Sequence, residues 1–82
     1  MNQTNLLIEE IVMILVYSQK KGETWFATAI ENQKILATAF AASQKEAIKT
    51  VLETLPYKKP FQTEEKVNPL AQKVFDAMDL VL

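Results

Sequence analysis

The sequence predicts an α+β fold in which a three-stranded antiparallel meander carries a packed amphipathic helix and a second helix forms the C-terminus. Three observations favour this fold: three strand-like segments separated by short turns, a helical segment with a full N-terminal signal, and a second helical segment that starts at a proline. The chain has 82 residues, of which 49% are hydrophobic, enough for a single packed core. We therefore expect a β-β-β-α domain over residues 1–56, a linker over residues 57–67 and a C-terminal helix over residues 68–82.

The first strand is predicted in the run IVMILVY, residues 11–17. A continuous apolar run rich in β-branched residues is typical of a strand covered on both faces, so we expect it in the centre of the sheet. The ten residues before it are ambiguous, because Thr4 or Asn5 suits the cap of a short helix but the segment also suits an extended lead into the strand.

The second and third strands are predicted in ETWFATAIE, residues 23–31, and KILATAFAA, residues 34–42. Both segments alternate between their two faces, as antiparallel strands do. Gly22, the only glycine, is expected to take a positive φ in the first turn, and Asn32 is the only good turn former in the second. The many alanines let a helix approach the sheet closely.

The first long helix is predicted after SQKE, residues 43–46, which has the pattern of a capping box. Pro56 ends this helix, because the residue before a proline is pushed out of the helical region. One face of the helix is apolar at i, i+3, i+4 and i+7: Ile48, Val51, Leu52 and Leu55.

The terminal helix is predicted from Asn68 as its N-cap and Pro69 at its first position. The segment before it, residues 57–67, contains Pro60 and several charges, and its apolar residues show no periodicity. We therefore predict that it is a linker. The helix has no stop signal, which favours either the first element of a larger structure or a surface for a partner. Whether it docks on its own sheet or on a neighbouring molecule stays open. Its predicted apolar stripe consists of Leu70, Val74, Met78 and Val81 or Leu82.

Composition and charge disfavour several classes of function. The net charge is −1 and all nine basic residues are lysines, so the arginine fork that usually reads bases and phosphates is absent. The longest apolar run is too short to span a membrane, and Glu9 and Glu10 precede it where a signal peptide would carry basic residues. With no cysteine the compartment stays open, and we expect a soluble cytoplasmic protein without membrane association.

No catalytic, cofactor-binding or metal-binding residue is predicted. The chain has no His and no Cys, which excludes His general bases, cysteine nucleophiles and transition-metal sites. Asp76 and Asp79 are three residues apart on the terminal helix, and we interpret them as solvated helix charges. We therefore expect that the protein is not an enzyme and needs no cofactor.

A basic, aromatic surface is the alternative interpretation of the lysine doublets at residues 20–21 and 58–59. The near-neutral charge and the absence of arginine disfavour it, so direct nucleic-acid binding is not expected. The aromatic residues are better explained as core. Those concerned are Trp25, Phe26, Phe40 and Tyr57.

The order β-β-β-α resembles the start of ribonuclease H-like domains, although the aspartate that those enzymes need on the first strand is missing from IVMILVY. The run VYSQKKGETWFATAIENQKILATAFAAS, an amphipathic helix and then NPLAQKVFDAM resemble, more closely, the amino-terminal region of archaeal-type O6-alkylguanine-DNA alkyltransferases. In that family a ribonuclease H-like domain precedes a catalytic domain whose first helix often begins Thr-Pro-Phe and continues with Val and an aromatic residue. Asn68-Pro69-Leu70 and Val74-Phe75 stand at the matching places.

The resemblance implies a non-catalytic scaffolding domain of a DNA-repair alkyltransferase, with a catalytic domain as its partner. The family's Pro-Cys-His-Arg acceptor motif, its helix-turn-helix and its arginine finger are all absent from this chain, so no functional residue carries over. Two other hypotheses stay open. One is a small independent protein-interaction module that homodimerises through its C-terminal helix. The other is a weak single-stranded nucleic-acid binding module.

Overall fold

The computed structural model describes residues 13–55 and 60–81, which form one sheet with a helix on each face. The predictions for residues 1–12, for residues 56–59 and for Leu82 lie outside the described residues. The elements in chain order are β1 (Ile14–Lys21), β2 (Thr24–Glu31), β3 (Lys34–Ala41), α1 (Gln44–Thr54), β4 (Phe61–Glu64) and α2 (Pro69–Val81).

The four strands lie in the order β3-β2-β1-β4. β1 pairs antiparallel with β2, and β2 pairs antiparallel with β3, which confirms the predicted meander. β1 is an inner strand, as its apolar sequence predicted, because β4 pairs with its other edge in parallel. The fold class predicted from the sequence is therefore correct, with one strand added.

The added strand corrects the prediction of a linker over residues 57–67. β4 has only four residues, FQTE, too short and too polar for a strand pattern to be visible. Its position is set by main-chain pairing with β1, which begins where the Ile14 N–H donates to the Pro60 carbonyl at 3.1 Å. The side chains of β4 contribute little burial, since Phe61 is 47% exposed.

The turns follow the predicted chemistry. Gly22 has φ +64°, a region that costs glycine little, in the two-residue turn between β1 and β2. The second turn places both Asn32 and Gln33 at positive φ, 54° and 68°. Gln33 thus takes a conformation that its residue type adopts only at a cost, which the sequence pattern did not indicate.

The first core lies between α1 and the face of the sheet that carries the alanines. The Ser43 hydroxyl accepts the Glu46 N–H at 3.2 Å, as the capping box predicted, and Leu55 ends the helix with an extended ψ of 140°. Val51 is fully buried at the centre of the helix face. It packs in a cluster with Ala47, Ile14, Val16 and four alanines: Ala27, Ala29, Ala37 and Ala39.

The second core lies between α2 and the opposite face of the sheet. Ala71 and Phe75 are fully buried there, and the Phe75 ring stacks against Phe26 with 6.3 Å between centroids. The centre of the buried face is therefore one position away from the predicted stripe. The stripe residues Leu70, Val74 and Met78 are only partly buried and pack beside Ala71 and Phe75. The helix docks on its own sheet, which answers the question left open by the sequence.

Candidate functional site

An apolar groove opens between β3 and the C-terminal half of α2. We call it the β3–α2 groove; it has a volume of about 320 Å³, and among residues 13–55 and 60–81 its lining side chains are all apolar. Those residues are Phe40, Ala77, Met78 and Val81. An apolar lining of this kind, as the described residues form it, fits apolar side chains of a protein.

The groove exists because α2 packs on β2 and β1 and stops short of β3. The side chains of β3 on this face consequently stay open to solvent, with Phe40 53% exposed and Ile35 46% exposed. At the end of α2, Leu80 and Val81 are 87% and 83% exposed. Phe40 and Val81 both line the groove, and adjoining exposed apolar side chains are typical of an interaction surface.

β3 is also an edge strand of the described sheet. It has eight residues, and between residues 35 and 41 it carries neither a charge nor a proline. Natural edges are usually protected by such residues, because unpaired main-chain groups invite another strand. This edge therefore adds main-chain hydrogen-bonding groups to the apolar surface of the groove.

A second concavity, which we call the β1 cleft, lies where β4 ends beside β1, and its volume is about 530 Å³. β4 pairs with β1 only as far as Tyr17, whereas β1 continues to Lys21. The first turn of α1 closes one side, where the Gln44 amide donates to the Ser18 hydroxyl at 2.9 Å. The cleft is lined by Ser18, Gln19, Lys20, Trp25, Gln44, Ile48, Thr63, Glu64, Glu65 and Val67.

A polar network ties α2 to β1 on the other face of the sheet. The side-chain amides of Gln19 and Gln72 exchange two hydrogen bonds of 3.0 Å, and Gln72 also donates to Asp76. The Lys21 ammonium lies 2.8 Å from Asp76 Oδ1. The hydrogen bond from Lys21, and after it the one from Gln72, lowers the pKa of the Asp76 carboxyl. The same hydrogen bond to Asp76 raises the pKa of Lys21.

Asp76 and Asp79, which the sequence analysis interprets as helix charges, lie on α2. Asp76 is engaged by Lys21 and Gln72 as a structural surface group. Within residues 13–55 and 60–81, no group of three or more acidic side chains is arranged to hold a metal ion. The predicted absence of catalytic residues stays a prediction.

The described members of the basic, aromatic set are divided between the two faces of the sheet, although Lys20 and Trp25 together line the β1 cleft. Phe26 is buried in the second core, Trp25 packs beside the first core on the opposite face, and Lys21 is paired with Asp76. Tyr57 and residues 58–59 lie outside the described part of the chain. This dispersal weighs against the nucleic-acid binding hypothesis.

The sequence did not reveal either concavity. The groove depends on where α2 crosses the sheet, and the cleft depends on the short strand β4, neither of which has a local pattern. A partial signal for the groove was present, since Phe40 is a large apolar residue on a strand rich in small ones.

No protein-family model matches this chain, and neither a curated protein nor a solved structure is significantly similar to it. Among the residues that the structure describes, neither helix combines the length and apolarity needed to cross a membrane.

Proposed function

We propose that the protein is a non-catalytic scaffolding domain, resembling the N-terminal part of a DNA-repair alkyltransferase, that contacts a catalytic domain at the β3–α2 groove. Two features support the resemblance: the β-β-β-α order, and the proline-started helix at residues 69–81. The lack of His, Cys and arginine in the sequence agrees with a role that involves no chemistry of its own.

The observation that carries this proposal is the apolar β3–α2 groove beside a helix held on the sheet. Burying Phe40 and Val81 together removes exposed apolar area from water, which is the main driving force of protein association. The last residues of α2 are exposed beside β3, so one partner surface would contact both elements.

The scaffold acts by holding α2 in place before the partner docks. Phe75 and Ala71 fix the helix on the sheet, and the Asn68 amide donates to the Tyr17 hydroxyl at 3.0 Å. Asn68 Oδ1 also accepts the Ala71 N–H at 2.7 Å, so one side chain both caps the helix and ties it to β1. A pre-positioned helix reduces the entropy lost when the partner binds.

The test is to sequence the DNA that follows the codon for Leu82 in the source genome. We expect an open frame that continues into a helix-turn-helix and a Pro-Cys-His-Arg motif. In the protein that this frame encodes, Phe40→Lys should separate the two domains, seen as faster proteolysis between them, whereas Glu53→Gln, which makes the same sign of charge change at an exposed position of α1, should not. A stop codon with no such frame nearby would refute the alkyltransferase proposal.

Homodimerisation is the second candidate, and the uncharged edge of β3 is the observation that favours it. A second copy pairing along β3 would bury Phe40 and Ile35 of both molecules. The original form of this hypothesis used the apolar stripe of α2, but the centre of that helix is buried on its own sheet. The dimer interface would therefore involve β3 and only the end of α2.

A further inference from the structure

We propose that the β1 cleft binds an extended peptide segment, which adds as a short strand to the edge of β1 beyond Tyr17, where β4 no longer pairs with it. Strand addition of this kind uses main-chain hydrogen bonds for affinity and alternate side chains for specificity. The inference depends on the β1 cleft and not on the β3–α2 groove, so it stands apart from the proposed function.

The main chain of Lys20 supplies the hydrogen bonds. Ile14 faces β4, since its N–H bonds to the Pro60 carbonyl, and the two-residue period of a strand makes Lys20 face the same way. The pairing register with β4 ends at Tyr17 and Glu64. No strand of the described residues lies opposite Lys20 on that side, so its N–H and C=O are directed into the cleft.

The floor of the cleft provides an apolar contact for one side chain of the peptide. Trp25 and Ile48 line it, and both pack partly buried against the first core, which holds them in place. Thr63 lies beside them at the end of β4. An aliphatic side chain pointing from the bound strand towards α1 would cover Trp25.

The charges of the cleft lining indicate what a second side chain of the peptide should be. Glu64 and Glu65 line the cleft where β4 stops, and Lys20 is the one cation of the lining. Glu64 Oε2 accepts a hydrogen bond from the Gln62 amide at 2.8 Å, which holds the carboxylate at the rim. Two carboxylates against one ammonium favour a peptide with a basic side chain near this end.

The experiment uses the peptide acetyl-Thr-Val-Lys-Val-Thr-amide as the probe. Trp25 is the only tryptophan, so its fluorescence reports on the floor of the cleft. The amide signal of Lys20 in a two-dimensional NMR spectrum reports on the strand edge. We expect both signals to shift with the same saturation curve, and the Lys20 amide to become protected from hydrogen exchange.

Two controls separate strand addition from general adhesion. The same peptide with alternate amides N-methylated cannot pair as a strand, so it should bind at least about tenfold more weakly. The double variant Glu64→Gln and Glu65→Gln should weaken binding of the lysine peptide several-fold while leaving a norleucine analogue unaffected. Glu65 is exposed and Glu64 is half-buried, so a thermal melt of the double variant, expected within a few degrees of the parent, checks that it is folded.

Three outcomes would overturn the proposal. One is equal binding of the methylated and unmethylated peptides, and another is the absence of any shift at Lys20 and Trp25 up to millimolar peptide. The third is a Lys20 amide that is already protected in the free protein, because the edge would then be filled by other residues of the chain.

Discussion

Val51 is the residue on which the layer beneath α1 depends most. It is fully buried among alanines, with no polar group beside it in the cluster to pair with a charge. We predict that Val51→Asp unfolds the protein, because burying an unpaired carboxylate costs more than about 4 kcal/mol, comparable with the stability of a domain of this size. Thermal melting followed by circular dichroism checks this. Lys49→Asp, at an exposed position of the same helix, should melt within a few degrees of the parent. A Val51→Asp variant that melts like the parent would mean that Val51 does not lie in a core between α1 and the sheet.

Phe75 has the corresponding position beneath α2. It is fully buried and stacks on Phe26, so Phe75→Ala removes an aromatic contact and leaves a cavity. We predict a loss of about 3–5 kcal/mol in the free energy of unfolding, measured by urea denaturation. Leu80→Ala is the matched control, since Leu80 is exposed on the same helix and should change stability by less than about 0.5 kcal/mol. Equal effects of the two variants would mean that α2 does not dock through Phe75.

Asp76 and Lys21 make the stability depend weakly on pH. The pKa of Asp76 is lowered in the folded state, so its contribution is present above the ordinary value of 3.8 and is lost as the pH falls through the folded-state value. The pKa of Lys21 is raised, so its contribution is present below 10.5 and is lost as the pH rises through the folded-state value.

We therefore predict that Asp76→Asn lowers the melting temperature slightly at neutral pH, because the ion pair is at the surface. The difference from the parent should shrink as the pH falls below 3.8 and the parent carboxyl takes up its proton. A difference that grows in acid would contradict the assigned direction of the pKa shift. Loss of any activity found for the parent would overturn the structural interpretation of Asp76.

At the scale of elements, the anchoring of α2 depends on its cap as well as on its buried face. Asn68 makes two contacts with different partners, one to the Ala71 N–H and one to the Tyr17 hydroxyl. We predict that Asn68→Ala costs about 1 kcal/mol and speeds hydrogen exchange in the first turn of α2 without affecting α1. Tyr17→Phe removes only the second contact and should leave the exchange of that turn nearly unchanged. Faster exchange throughout α1 in the Asn68→Ala variant would show that the two layers are not independent.

The elements themselves were largely predictable from the sequence because their signals are local. The capping box at Ser43, the glycine at position 22 and the proline after Leu55 each act within a few residues. β4 was missed because its pairing with β1 depends on main-chain contacts over about 47 residues of chain, counted from Ile14 to Phe61. The buried face of α2 was predicted one position away from where it lies, because the predicted stripe was chosen from large aliphatic residues. In the structure, Ala71 lets the helix approach the sheet closely, and Phe75 is buried as a result.

At the scale of the whole molecule, the candidate surfaces arise from relations between elements and not from motifs. The β3–α2 groove exists because one helix covers two of the strands on that face, and the β1 cleft exists because a parallel strand is shorter than its neighbour. Neither relation has a signature in the spacing of residues, so composition could exclude functions here but could not identify a binding surface.

The state of association distinguishes the two candidate functions. A scaffold whose groove awaits a different domain should melt at the same temperature over a hundredfold range of concentration, from roughly 5 to 500 µM, because no self-association stabilises it. We predict this constancy, measured by circular dichroism at the low end and calorimetry at the high end.

A dimer through β3 would instead melt at higher temperature as the concentration rises, since mass action favours the associated state. Phe40→Lys would then remove the concentration dependence by placing a charged side chain in the apolar interface, and Glu53→Gln, on the exposed face of α1, would preserve it. Because Phe40 belongs to both candidate interfaces, it is the concentration dependence of the parent protein, and not the effect of the variant alone, that decides between them.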